Sequence, residues 1–398
     1  MLRCTFALFM LSSIWAQTNP PAKPVLADSV TADYDVEYSR VGERVAMDIF
    51  RPKASGRYPT VVAIHGGGFR AGSRTRYWQL CPKLAERGFV CATVSYRLAP
   101  MHQFPAALED VKAAVRFLRA NAAKYGVDIA HVGATGMSAG GHLAVMLGVT
   151  GGSRAFEGSG PNLDQSSAVQ AVVNYYGPVD FTQSYAKSVD AKDVLPLFLG
   201  GDLEHQRKYH LVASPLYHVT PLSAPVLTIH GTRDNYVAYE HAVWLTSKLI
   251  SAEVEAELET IEGAGHGFKG PDEVRADNRM IQYFEKRLKR TPQIRILVAD
   301  HGPRGEVVAM NWPSGEELWT MPNERGHDVQ PLPGGNILFT VGPKRRVVEV
   351  NAARQEVWTC CDGLQHPLAA QRLPNGNTLI GDNGLRKVIE VDSRGQIV

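Results

Sequence analysis

The chain has 398 residues, 44% hydrophobic and 21% charged, the balance of a globular protein rather than a disordered one. Lys and Arg number 42 against 40 Asp and Glu, a formal net charge of +2 that gives no electrostatic reason to expect a nucleic-acid partner. Five cysteines in this length do not make a disulfide scaffold, and the length allows two or three domains.

At the N-terminus Arg3 precedes an uncharged apolar run from Cys4 to Ile14. The small Ala16 and the polar, proline-containing stretch Gln17 to Pro24 follow. This is the layout of a secretory signal peptide, and the run is too short to span a bilayer. The leader is placed at residues 1–16 and a linker at 17–32; an uncleaved N-terminal anchor is the alternative. Cys4 sits too early in the apolar run for a lipid-attachment cysteine. No later stretch is long and apolar enough to span a membrane, so the mature chain is expected to be secreted or periplasmic. Cys81, Cys91, Cys360 and Cys361 would then meet an oxidising compartment. Cys81 falls on a helix-like segment and Cys91 in an apolar strand. Both read first as buried core thiols, and the sequence assigns no pairing.

From Asp33 to about residue 290 strand-like and helix-like segments alternate. Val36 to Tyr38 and Val45 to Phe50 read as early strands. Val61 to Ile64, Val90 to Tyr96 and Val132 to Thr135 are short β-branched runs of the kind buried in a parallel sheet. Leu108, Val111, Val115, Leu118 and Ala122 recur at helical spacing, with Gly126 after the end. Val169 to Tyr175, Val226 to His230 and Val254 to Ile261 continue the series. Strands separated by helices predict an α/β fold around a mostly parallel, doubly wound sheet.

After Thr291 the rhythm changes. Leu332-Pro333-Gly334-Gly335-Asn336 recurs as Leu373-Pro374-Asn375-Gly376-Asn377, and Val347-Val348-Glu349-Val350-Asn351 as Val388-Ile389-Glu390-Val391-Asp392, at an offset of about 41 residues. Ile296 to Ala299 stands one period earlier, opposite Ile337 to Thr340. Glu317-Leu318-Trp319-Thr320 matches Glu356-Val357-Trp358-Thr359. Short strands with Pro/Gly/Asn turns at this period predict β-propeller-like repeats over 291–398; a small β-meander is the alternative. About two and a half blades cannot close where four to eight are usual. The expectation is therefore a truncated reading frame or completion by another chain.

Gly136-Met137-Ser138-Ala139-Gly140 is G-x-S-x-G, set between an apolar strand and the helix-like run from His142. The glycines leave room for a strained turn that lifts the Ser138 hydroxyl clear of the sheet, with a helix N-terminus behind it. That makes Ser138 the candidate nucleophile. His65-Gly66-Gly67-Gly68 follows the strand Val61 to Ile64. Its glycines let Gly66 and Gly67 N–H, with that of Ala139, face an oxyanion. The loop lacks the G-x-x-x-x-G-K-[ST] and G-x-G-x-x-G patterns of phosphate and dinucleotide cradles. A nucleophilic serine needs a base and an orienting acid, here in the order Ser, acid, His. Asp234 follows the strand Val226 to Ile229, and His266 lies in Gly263-Ala264-Gly265-His266-Gly267-Phe268, a loop too glycine-rich to be core. The triad read from the chain is Ser138, Asp234 and His266. Asp180, at the end of another strand, is the rival acid. His230 reads as structural and His142 as pointing into packing. No His, Cys and carboxylate set has metal-ligand spacing, so neither metal nor cofactor is expected.

Together, His65-Gly66-Gly67-Gly68-Phe69, Ser95-Tyr96-Arg97-Leu98-Ala99, Phe104-Pro105-Ala106, Gly136 to His142, Tyr176-Gly177-Pro178-Val179-Asp180, His230 to Asp234 and Gly265-His266-Gly267-Phe268 resemble the α/β-hydrolase esterases. The nearest likeness is to the bifunctional acetylxylan and feruloyl esterase-like branch, then to the hormone-sensitive lipase-like esterases. The resemblance covers about Asp33 to Leu288. It implies an α/β-hydrolase fold and hydrolysis of short-chain or carbohydrate-linked esters through an acyl-enzyme. Ser138 would be nucleophile, His266 base and Asp234 orienter, with Gly66, Gly67 and Ala139 as oxyanion donors. A long helical N-terminal cap is missing, and Phe181 to Pro215 is the one sizeable insertion before the acid, so the cap should be small.

Phe69, Tyr77, Trp78 and Tyr185 are candidates for the mouth of the site, each equally readable as core. The partner is a small-molecule or polysaccharide-linked ester. Two other classes stay open. One is a serine peptidase of the prolyl oligopeptidase type, although there the propeller precedes the catalytic domain. The other is a non-catalytic carbohydrate-binding or adhesion protein that works through its repeats.

Overall fold

A computed structural model describes residues 22–151, 153–289, 294–300, 302–312, 315–322, 326–360 and 363–398. The expected leader at 1–16 lies outside these residues. Contacts divide the chain into two units, 1–290 and 291–398. Among the described residues, no helix is long and apolar enough to cross a membrane.

The first unit is an eight-stranded sheet in the order β1-β2-β4-β3-β5-β6-β7-β8. Its strands are β1 (Val30–Ser39), β2 (Val45–Pro52), β3 (Tyr58–Ile64), β4 (Val90–Val94), β5 (Val127–Met137), β6 (Ala171–Tyr175), β7 (Val226–Gly231) and β8 (Ala256–Ile261). β1 pairs antiparallel with β2, and β2 with β4; from β4 to β8 every pairing is parallel. β1 begins at Val30, inside the stretch expected to be linker, and pairs it with Pro52.

Alternation along the strands builds a core on each face. Val62 and Ile64 of β3 face α2 (Ala106–Ala120), α4 (Ala139–Val149) and α8 (Glu240–Ser251) through Val111, Leu143 and Leu245. Val61 and Ala63 face the other way, toward α1 (Leu80–Glu86) and α9 (Pro271–Leu288) through Leu84, Met280 and Phe284. α9 starts at Pro271, carries Asp272 and Glu273 in its first turn and ends on Lys286 and Arg287, each placed as the helix ends favour. The helix expected to run on through Ala122 is two: α2 stops at Asn121, and α3 (Ala122–Tyr125) ends at Gly126, whose φ of +70° is left-handed. Cys81 of α1 and Cys91 of β4 are buried, as their surroundings suggested. They are joined in a disulfide rather than present as thiols.

Between β6 and β7 the chain makes three short helices, α5 (Phe181–Ser184), α6 (Ala191–Leu199) and α7 (Arg207–Val212). This is the insertion read as a small cap.

Among the described residues, the second unit consists of three antiparallel sheets, each built from consecutive strands. They are β9 (Ile294–Ala299), β10 (Glu306–Trp312) and β11 (Glu317–Pro322); β12 (Val329–Pro331), β13 (Ile337–Val341), β14 (Arg346–Val350) and β15 (Glu356–Cys360); and β16 (Pro367–Arg372), β17 (Thr378–Asp382) and β18 (Lys387–Val391). The sequence repeat is a repeat of geometry. Asn336 Nδ2 donates to Glu349 at 2.7 Å, and Asn377 Nδ2 to Glu390 at 2.7 Å. Arg345 and Arg386 both turn through positive φ, 53° and 54°. The middle sheet is packed on both faces: Phe339 and Val348 meet Val307 and Met321 of the first, and Leu338 and Val347 meet Ile380 and Val391 of the third.

Candidate active site

The turn after β5 carries Ser138 at φ 55°, ψ −120°, a left-handed conformation costly for a residue with a side chain. Two features sustain it. Ser138 N–H donates to Tyr175 O at 2.9 Å, and Ser138 O accepts the first hydrogen bond of α4, from His142 N–H at 3.0 Å. α4 lies so close to β3 that a Cβ on Gly140 would meet Ile64 O at 2.0 Å; only glycine lets the helix start there. The hydroxyl therefore sits at the carboxyl edge of the sheet, over a helix N-terminus.

Beyond β3, the loop from His65 turns back on itself: Arg70 and Ala71 N–H donate to Gly67 O at 3.2 and 3.0 Å. Gly67 has φ +117°, and a Cβ there would fall 2.2 Å from Ala71 O. Among the described residues, the N–H groups of Gly66 and Gly67 have no protein acceptor, and that of Ala139 lies ahead of its helix's own ladder. His65 is a structural support. Its ring stacks on Tyr96 at 4.3 Å, Nδ1–H donates to Gly66 O at 2.7 Å, and burial pushes its pKa down to about 4.

On the far side, His266 Nδ1–H donates to Asp234 Oδ2 at 2.7 Å. The Asp234 side chain is fully buried and that of His266 is 20% exposed. Burial alone would oppose charge on Asp234. Hydrogen bonding with His230 and His266, and with the Val237 N–H at 2.9 Å, outweighs it and holds the carboxyl well below the usual range. His230 Nε2–H points to Val237 O at 2.9 Å and lies 3.4 Å from Asp234 Oδ2, so it also touches the acid. Asp180 is engaged elsewhere. It caps α5 through Thr182 N–H and Oγ1 at 2.9 and 2.6 Å and accepts from Tyr217 OH at 3.1 Å. His142 is buried, with Nδ1–H on Pro178 O at 3.0 Å and its ring against Phe181.

Ser138, Ala139, Gly66, Gly67 and His266 all line one cavity of about 550 Å³, roofed by Ala191, Val194 and Leu195 of α6. Of the four expected mouth residues, Phe69 alone lines it. Tyr77 and Trp78 are core on the α1/α9 face, and Tyr185 bonds His210 Nε2 at 2.9 Å within the cap. Sequence reasoning missed Tyr176 and Tyr236, whose rings flank His266 at 4.7 and 5.2 Å. The only signal was their position, next to the Gly177-Pro178 turn and two residues after Asp234.

A family model described as BD-FAE matches residues 47–249, just over half of the chain. The esterase LipC of Mycobacterium tuberculosis is 34% identical over 217 residues, 53% of this chain and 53% of LipC. The chain spans about half the length of the curated relatives it matches. Among solved structures, a truncated carbohydrate esterase from gut microbiota aligns with TM-score 0.60 and 28% identity, over 67% of this chain and 99% of that one. The esterase Est2 of Thermogutta terrifontis with propionate bound aligns with TM-score 0.54 and 25% identity, over 65% of this chain and 93% of that one.

Proposed function

Because the chain belongs to the BD-FAE family of α/β-hydrolase esterases, we propose that it hydrolyses carboxylic esters through an acyl-enzyme on Ser138. The observation that carries the reading is the 2.7 Å contact of His266 Nδ1 with a buried, charged Asp234, in a cavity wall shared with Ser138. With Nδ1–H held by the acid, Nε2 is left to act as the base.

Ser138 Oγ attacks the ester carbonyl carbon as His266 Nε2 takes its proton. The charge that forms on the carbonyl oxygen is met by the N–H groups of Gly66, Gly67 and Ala139 and by the α4 N-terminus. His266 passes the proton to the leaving alcohol, which departs from an acyl-Ser138. Water, deprotonated by His266, then releases the acid and restores the serine. Asp234 stabilises the imidazolium without itself taking a proton.

Short acyl groups on small or carbohydrate alcohols are the proposed substrates. The likeness to a propionate-bound esterase supports the short acyl group. Likeness to a carbohydrate esterase supports the sugar. Export is the proposed location, supported by the Cys81–Cys91 disulfide, which persists in oxidising compartments. The three sheets of the second unit are proposed to be propeller blades on the strength of their repeat, and to hold the enzyme to its polymer on the strength of the domain arrangement alone.

The test is a panel of acetylated xylan, methyl ferulate and p-nitrophenyl esters of rising chain length, run on the protein and on Ser138→Ala. Loss of at least about 10⁴-fold in kcat, with a fluorophosphonate probe labelling only the unsubstituted chain, is the expected result. Retained turnover in Ser138→Ala refutes the mechanism.

A further inference from the structure

The cavity wall carries an uneven charge. Arg70 stands directly after the glycine loop, and Arg76 lies in the 3₁₀ turn Arg74–Tyr77. Both are exposed, and both line the cavity beside Ser138 and His266. Arg70 has no carboxylate within ion-pair distance among the described residues. Arg76 has only Glu273, at 3.8 Å, with side chains 53% and 43% exposed. Among the described residues, the one carboxylate that lines the cavity is Asp190, which takes the Ser188 hydroxyl at 3.1 Å. Asp190 sits at the start of α6, where the helix's unpaired N–H groups offset a negative charge. The lining therefore carries two guanidiniums against a single compensated carboxylate, and the planar fork of each suits a carboxylate ligand.

We propose that Arg70 and Arg76 are a specificity-determining pair, so that the esters preferred by this site carry a carboxylate on their acyl or their alcohol side. The inference rests on the ester-hydrolase reading and adds to it a substrate class, the half-esters of dicarboxylic acids or the acylated hydroxy acids and uronic acids. Exposed cations act through attraction that salt screens, so the preference must be salt-sensitive.

Two pairs of near-isosteres separate the two sources of the carboxylate. Monomethyl succinate against methyl succinamate places it on the acyl side; 3-acetoxybenzoate against 3-acetoxybenzamide places it on the alcohol side. At low salt the ratio of kcat/KM, charged over neutral, is expected to exceed about ten in at least one pair. That ratio should fall at least about fivefold in the double variant Arg70→Gln, Arg76→Gln, and should move toward one in about 0.5 M NaCl. Ratios at or below one in both pairs, with the neutral esters turned over, overturn the proposal. A high ratio unmoved by the double substitution overturns the assignment to these two arginines. Turnover of p-nitrophenyl acetate with no member of either pair turned over also overturns the proposal; no turnover of p-nitrophenyl acetate either means that the ester-hydrolase reading itself fails and takes this inference with it.

Discussion

The carboxylate of Asp234 is completely buried 2.7 Å from Nδ1 of His266, whose own ring stays one-fifth exposed. The charge is hidden while the imidazole remains reachable. With glycine at 263, 265 and 267, the loop has little of its own to hold the imidazole, and the Asp234 contact with the Tyr176 and Tyr236 rings supplies that hold.

Replacing Asp234 by Asn should lower kcat by about 10³–10⁴-fold, because an amide in that place favours the wrong imidazole tautomer. Asp180→Asn, which touches the α5 cap and Tyr217 instead, should change kcat by no more than about threefold and stability by less than about 1 kcal/mol, since asparagine caps a helix as well as aspartate. Steady-state kinetics on p-nitrophenyl acetate and a denaturation curve for each variant check the pair. A larger kcat loss at Asp180 reverses the assignment.

Gly67→Ala asks a side chain to accept φ +117° with its Cβ 2.2 Å from Ala71 O. The loop has to move, and the Gly66 and Gly67 N–H groups move with it. The expected loss is about 10²–10³-fold in kcat with KM much less affected. An unchanged kcat would remove this loop from the mechanism.

Acid should destabilise the first unit through histidines that fold in the neutral form. Burial lowers the pKa of His65 and of His241 to about 4, and of His142 to about 3, from 6.5. Between the two values the unfolded chain binds protons that the folded chain does not. Their contribution to stability is therefore complete above about pH 6.5 and is lost as pH falls toward 4, by up to about 1.4 kcal/mol per histidine per pH unit. Thermal melts from pH 7.5 to pH 5 should show Tm falling steadily below about 6.5. A flat profile would mean that these rings stay solvated.

Removing the disulfide with Cys81→Ala and Cys91→Ala opens a loop of sequence separation 10 between α1 and β4. Chain entropy assigns such a loop about 2–3 kcal/mol, or roughly 5–10 °C in Tm, with kcat/KM of the folded protein unchanged. Calorimetry with and without reductant is the measurement, and an equal Tm in both refutes it.

By itself, the sequence determined what local physics writes into short segments. The strand–turn–helix around Ser138, the glycine loop after β3, the alternation of strands and helices, and the repeat of Asn336 at Asn377 all depend on neighbours within one or two elements. Each demands a distinctive residue, a glycine at a close approach or an alternating apolar run. The chain order favoured Asp234 over Asp180, but only the tertiary structure brings its carboxylate to His266, across 32 residues of chain. It also decided that Cys81 pairs with Cys91, that Tyr77 and Trp78 turn into the core rather than the cavity, and that Tyr176, Tyr236, Arg70 and Arg76 line the same cavity as Ser138 and His266. Aromatic, basic and carboxylate side chains look the same in sequence on either side of a sheet. Their direction is set by the register and packing of elements distant along the chain, and no local pattern records it.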